Sequence, residues 1–228
     1  ERIVLLEELR PQIGELRNRL GELKTGLKIE PKKERIQDLD YQMAAPGFWD
    51  DPDKAQKVAQ EANNLKSEVD TFTSLETKVD DLDTLWEMAV EELLARLSKV
   101  VRPAYWSKVK TELKKDKIIF PEIIRFDDFS MQYNQRNRIS YNYGGELETL
   151  CAGIAYGADD ILNGNSKMII RFDDNDISVT DWYDLTTTNA EQIRFYKNGR
   201  IDVRFKDSAA AESCFKRLHL DEITLREN

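Results

Sequence analysis

The sequence is poor in the side chains that do chemistry. It holds one histidine, His219, and two cysteines, Cys151 and Cys214. Three such residues cannot close a structural zinc site without carboxylate help. They lay down no disulfide framework either, which fits a cytoplasmic, reducing compartment. Both cysteines sit among apolar residues at helical spacing, the pattern of buried free thiols. His219 falls on an apolar-rich C-terminal helix with no activating loop beside it. No run of about 18 apolar residues is present, so no helix is expected to cross a membrane. No signal-peptide pattern opens the chain, and Glu1 in place of Met leaves room for residues upstream. An excess of positive charge is also missing. There are 34 basic against 43 acidic side chains, a net of −9 with a pI near 4.9. That disfavours a general nucleic-acid binder but allows a local basic patch. With no nucleophile–base pair, phosphate-binding glycine loop or metal-ligand spacing, neither cofactor nor metal site is expected, and an enzyme ranks last among the readings.

What is present divides by charge and by period. The 228 residues suit one large or two small domains and suffice for a real core. Residues 1–97 carry 14 basic and 22 acidic side chains, residues 98–228 carry 20 and 21. The first part reads as helix throughout, the second as mixed α and β. The boundary is placed near 98–103, where Pro103 should end a helix.

Leu6, Leu9, Ile13, Leu16, Leu20, Leu23 and Leu27 alternate steps of three and four, an a/d heptad seam weakened by Pro11, Gly14 and Gly21. Pro31 should end this helix, and a second starts at Lys32, with Ile36, Leu39 and Met43 on one face. Pro46-Gly47 breaks that helix. Phe48 and Trp49 at this arm corner are large enough to plug the end of a bundle. Asp51 is a good N-cap, with Pro52 at the first helical position and Asp53 in the first turn. From residue 53 to 102 there is no Pro or Gly. The seam there runs Ala55, Val58, Ala62, Leu65, Val69, Phe72, Leu75, Val79, Leu82, Trp86, Ala89, Leu93. The two successive three-residue steps at Val69-Phe72-Leu75 make a stammer. Fifty such residues would span about 75 Å, and the first two helices should fold back on them as an antiparallel bundle.

The block Met43-Ala-Ala-Pro-Gly-Phe-Trp-Asp-Asp-Pro-Asp-Lys-Ala-Gln-Lys57, followed by Leu65-Lys-Ser-Glu-Val-Asp-Thr-Phe72, resembles domain 1 of bacterial peptide chain release factor 2 over about residues 1–92. The resemblance implies a helical arm that docks near the stalk base of the large ribosomal subunit and itself neither reads codons nor hydrolyses ester. The family's Gly-Gly-Gln loop has only Gly144-Gly145-Glu146 here, and its Ser-Pro-Phe tripeptide is absent. A Glu would set negative charge beside a developing oxyanion. No peptide release is therefore expected.

The second half reads as α+β with an antiparallel sheet. Residues 118–126, 129–143, 167–172 and 177–182 look strand-like, and 146–162 helical. Asn198-Gly199 between 192–197 and 200–206 is a hairpin signal. Ile193, Phe195, Ile201, Val203 and Phe205 share one face, with Arg194, Lys197, Arg200, Arg204 and Lys206 on or beside the other. The last helix starts at Asp207 or Ser208. Residues 193–206 resemble the end of an uncharacterised domain family of bacterial phage-like and mobile elements, which brings no assigned chemistry. Ile-Ile-Arg-Phe-Asp-Asp occurs at 123–128 and again at 169–174. It reads either as a strand ending in a solvated turn or as a cation site built from Asp127, Asp128, Asp173, Asp174 and Asp176.

Residues 96–117 form a basic band. Arg102, Tyr105, Trp106, Lys108, Lys110, Lys114, Lys115 and Lys117 within it are the candidate nucleic-acid or partner-binding residues. The alternative is a solvated helix face. Three functional readings follow. The first is a non-catalytic arm docking on the ribosome or another protein. The second is an oligomerising (homodimer) or fusion segment joined to a mobile-element binding module for nucleic acid or protein. The third is a metal-dependent enzyme using the Asp-Asp turns.

Overall fold

The computed structural model of the chain describes residues 9–102, 109–162, 164–171 and 176–223. The fold is α+β, a long helical region followed by a small antiparallel sheet. Two compact units divide it, Glu8–Glu87 and a second that holds Met88–Asn228.

The first unit contains α1 (Leu9–Gly26), α2 (Ile29–Met43) and the first part of α3 (Pro52–Val101). Ion pairs show how they lie. Arg10 meets Asp83 at 2.7 Å, Arg17 meets Asp80 at 2.8 Å, and Lys24 is 3.9 Å from Glu76. Further on, Lys32 pairs with Glu68, Arg35 with Glu61 at 2.9 Å and Asp40 with Lys66 at 2.7 Å. Partner numbers fall along α3, from 83 to 61, as they rise from Arg10 to Arg35, and Asp40 reaches back to Lys66. The two short helices therefore lie end to end, antiparallel to the long one, as a two-helix hairpin and not a three-helix bundle. Exposed pairs of this kind are each worth little; the apolar seam sets the register.

The break between α1 and α2 falls earlier than Pro31. Lys28 takes the left-handed conformation (φ 51°) and α2 starts at Ile29. Pro31 is the third residue of α2, among the first four N–H positions that have no intrahelical acceptor, so its missing donor costs nothing there. Along α3 the buried positions recur every seventh residue, at Ala55, Ala62 and Val69, then shift phase to Phe72, Val79 and Trp86. The stammer is thus expressed, and Leu75 is turned outward. On α1 only part of the seam is used. Ile13 is buried and Leu20 half-buried, while Leu16, Leu23 and Leu27 are 39%, 47% and 45% exposed. In-line packing gives α1 one neighbour, α3, so it buries one narrow stripe. The corner also differs from expectation. Phe48 is half-buried and packs edge-on against Trp49 at 5.0 Å, but Trp49 is 64% exposed and plugs nothing. Asp51 caps α3 as expected, accepting from the Lys54 N–H at 3.2 Å.

The second unit is built on β1 (Glu112–Lys114), β2 (Lys117–Phe120), β3 (Tyr183–Asp184), β4 (Ala190–Phe195) and β5 (Ile201–Phe205). Their order is β1-β2-β5-β4-β3, all antiparallel. Helices α4 (Asp128–Asn134), α5 (Gly144–Asp159), α6 (Ser166–Ile169) and α7 (Ser208–Arg217) complete it. One sheet face supplies Ile118, Phe120, Ile193, Phe195, Ile201, Val203 and Phe205 to the core. Leu150, Cys151 and Ile154 of α5, Ala211 and Cys214 of α7, and Leu97 and Val101 from the end of α3 close over it. At the β4–β5 hairpin, Gly199 takes φ +83° and its carbonyl accepts from the Ile123 and Ile124 N–H groups at 2.9 and 3.3 Å. A β-carbon there would meet the Ile124 carbonyl oxygen at 2.0 Å, so only glycine fits.

Three strand expectations are overturned. Within 129–143 the chain forms α4 because the Asp127 carboxylate accepts from the Ser130 N–H at 2.9 Å. Asn165 likewise caps α6 through the Met168 N–H at 3.0 Å. Residues 178–181 form a turn, with Ser178 Oγ donating to Asp181 at 2.7 Å. In each place a short polar side chain bonding to nearby groups outweighs β-propensity. Pro103, Asp173 and Asp174 lie outside the described residues.

Candidate functional site

The basic band does not form one helix face. Lys99 lies in the last turn of α3, and Arg102, exposed, directly follows that helix. Lys110, exposed, precedes β1. Lys114, Lys115 and Lys117 belong to the β1–β2 hairpin, whose turn is made by Lys115 in the left-handed conformation (φ 53°). Lys114 is paired with Glu112 at 2.9 Å. Hydrogen bonding to Lys114 and its charge hold the Glu112 carboxyl below its ordinary range. Tyr105, Trp106 and Lys108 lie outside the described residues. Phe48 and Trp49 belong to the first unit, at the corner before α3.

The sheet register brings part of the band together with residues some eighty positions away. One cross-strand row reads Lys114, Lys117, Arg204, Gln192, Asp184; the next reads Glu112, Ile119, Asp202, Arg194. These rows lie on the sheet face opposite the core. Asp202 is only 1% exposed and binds Arg200 through two contacts, Nε to Oδ1 at 2.6 Å and NH2 to Oδ2 at 2.7 Å. The Tyr196 hydroxyl adds a third at 3.2 Å. Hydrogen bonding to Asp202 raises the Arg200 pKa, and burial, followed by the Asp202 charge, raises that of Tyr196. Arg194 and Arg200 lie over the Tyr196 ring at 4.8 and 4.6 Å from its centroid, and Arg204 lies over Trp182 at 4.2 Å. The alternation of β4 and β5 in sequence foreshadowed the three arginines. Trp182 carried no signal, because it precedes a two-residue strand whose pairing is set by tertiary structure.

The Gly144-Gly145-Glu146 piece opens α5, and Gly144 and Gly145 line, with Arg138, Tyr141 and Lys167, a cleft of about 650 Å³. Its neighbour Glu148 accepts from both the Ser166 N–H and hydroxyl. The two IIRFDD copies do not repeat one structure: Ile123 and Ile124 lie in a loop, whereas Ile169 ends α6. Asp127, of the first copy, is held below its ordinary pKa by hydrogen bonds from Ser130. Among the described residues no group of three metal-ligating side chains converges. Burial pushes the Cys151 thiol well up and that of Cys214 up to about 12. His219 lies past the end of α7 with φ 52°, exposed, its Nδ1 3.1 Å from Glu222.

Comparison with known proteins bears on the N-terminal part. Residues 32–120 match the PCRF domain, from α2 through β2, so the match starts later and runs further than residues 1–92. The chain is 35% identical over 127 residues to peptide chain release factor 2 of Staphylococcus haemolyticus, covering 56% of this chain and 30% of that protein. It is 36% identical over 89 residues to the Clostridium perfringens protein of the same name, covering 39% and 24%. The chain thus spans less than a third of the length of these relatives. No solved structure matches. In the described residues no helix is long and apolar enough to cross a membrane. The N-terminal part of the chain is similar to peptide chain release factors across a PCRF domain.

Proposed function

We propose that this chain is a non-catalytic, release-factor-like interaction protein of the translation machinery, working in the cytoplasm, whose helical hairpin docks on the ribosome. The observation that carries the reading is the PCRF match, which takes in most of α2 and all of α3. Several of the hairpin's charged side chains pair across the helices, and the rest of its polar surface is open to a partner. The Gly-Gly-Glu start of α5 supports the absence of release activity, since Glu in place of Gln opposes developing negative charge. The mobile-element resemblance of residues 193–206 adds no chemistry to this reading. Ribosome co-sedimentation of the full chain tests it. Binding should weaken on Leu16→Glu/Leu23→Glu, because those side chains are exposed and their loss leaves the seam intact, and no peptide should be released from termination complexes. A chain that stays in the supernatant at every salt concentration would end the proposal.

The same exposed leucines favour a second reading, pairing of the arm with another copy. Light scattering separates the two: a dimer abolished by the same pair of substitutions would support self-association.

A further inference from the structure

Residues 109–120 together with 190–206 carry nine basic and four acidic side chains, on a chain whose net charge is −9. The local surplus of five positive charges sits on strands β1, β2, β4 and β5 and the segments that flank them. Core packing takes the other face of this sheet, so these charges are gathered on the face that α5 and α7 do not cover. Two features separate this face from an ordinary solvated one. First, three of its cations are left without an ion-pair partner among the described residues. Arg200 is tied to Asp202 and Lys114 to Glu112, but among the described residues Lys117, Arg194 and Arg204 have no carboxylate within ion-pair distance. The Arg194 Nε–H is buried without an acceptor, a donor left over after its guanidinium stacks on Tyr196. Second, the arginines lie over aromatic rings. The Arg194 and Arg200 guanidinium groups both lie over the Tyr196 ring, and Arg204 lies over Trp182 with one N–H donating to the Gln192 side-chain amide oxygen at 2.9 Å. A guanidinium plane presented this way accepts a nucleobase on its free side while its edge donates to phosphate. A carboxylate-rich protein partner would use the charge but has no use for the planes.

We propose that the outer face of this sheet binds single-stranded RNA, with Lys117, Arg194 and Arg204 on the phosphates and the Arg204–Trp182 and Arg194–Tyr196–Arg200 stacks as base platforms. The stacking and charge stand on the geometry alone; the choice of RNA over DNA rests on the translation reading above.

The test is fluorescence anisotropy of the full chain with a labelled, unstructured RNA dodecamer across a salt series. Three or four phosphate contacts should give a log–log salt slope of roughly −2 to −3 for a single strand. Arg194→Gln/Arg204→Gln should weaken binding at least about tenfold and flatten the slope. Trp182→Ala should weaken binding on the order of tenfold with the slope unchanged, and Trp182→Phe should restore most of it. Lys216→Gln on α7, across the core, should change nothing. Circular dichroism confirms that each variant is folded. Absence of binding at about 100 μM chain, where non-specific binding already shows, would overturn the proposal. So would insensitivity to the double substitution in a folded variant, equal affinity for inorganic polyphosphate, or equal affinity for DNA of the same sequence. A salt-labile dimer that excludes RNA would assign the face to a second copy and overturn it as well. The assay contains no ribosome, so RNA binding that survives a negative co-sedimentation result fails the docking reading alone.

Discussion

Asp202 and Arg200 make a matched pair for asking what holds the outer sheet face, because their burial is unequal. The Asp202 side chain is 1% exposed and that of Arg200 36%. Arg200→Met deletes both hydrogen bonds, at 2.6 and 2.7 Å, whereas Asp202→Asn keeps one acceptor oxygen and loses the charge and the second acceptor, so the two leave different orphans. Asp202→Asn leaves a guanidinium that water can reach and that still stacks on Tyr196. Losing charge-assisted bonds at a partly solvated site should cost about 1–2 kcal/mol. Arg200→Met leaves a carboxylate out of water, with the Tyr196 hydroxyl at 3.2 Å as its remaining hydrogen-bond partner among the described residues. An uncompensated buried charge costs about 3–5 kcal/mol, and some relaxation should bring the loss to about 3 kcal/mol. Both follow from urea unfolding read by hydrogen exchange at β4 and β5 amides, which isolates the second unit from the helical hairpin. The expected order is Arg200→Met worse than Asp202→Asn by at least about 1 kcal/mol. An equal or reversed order would refute the reasoning, since it would mean the carboxylate is solvated or that stacking of Arg200, not the ion pair, carries the stability.

Gly199→Ala should cost more than about 3 kcal/mol, combining a left-handed penalty with the clash on the Ile124 carbonyl, and melting temperature would show it. Phe72→Ala should cost about 3 kcal/mol while Leu23→Ala, already half in water, should cost under about 1 kcal/mol, compared by thermal unfolding of the first unit. Cys151 and Cys214 should resist iodoacetamide at pH 8 in the folded chain and react in denaturant. Their folded pKa values lie above the unfolded ones, so the stability they lend is complete below pH about 8.5 and is lost as pH rises towards that of Cys214, about 12; unfolding midpoints at pH 8 and pH 10 would show the decline.

Local pattern determined much of this protein. The seven-residue recurrence and three-residue phase shift of α3 are visible in the sequence because a helix repeats its own geometry and needs no distant partner to define its faces. The Asn198-Gly199 hairpin is legible for the same reason: a tight turn is chosen by the two residues within it. The buried thiols follow from the apolar spacing of α5 and α7. Where polar side chains sat beside β-branched ones, at Asp127, Asn165 and Ser178, the sequence held both strand and turn signals, and local capping decided between them. Tertiary structure alone decided the rest. Heptads on α1 fix a stripe but not how many helices share it, so the in-line arrangement that leaves Leu16, Leu23 and Leu27 in water could not be read from spacing. Alternation in a strand says which residues share a face but not which strands are neighbours. Only the order β1-β2-β5-β4-β3 sets Lys117 beside Arg204 and gathers charges from two distant stretches of an acidic chain onto one surface.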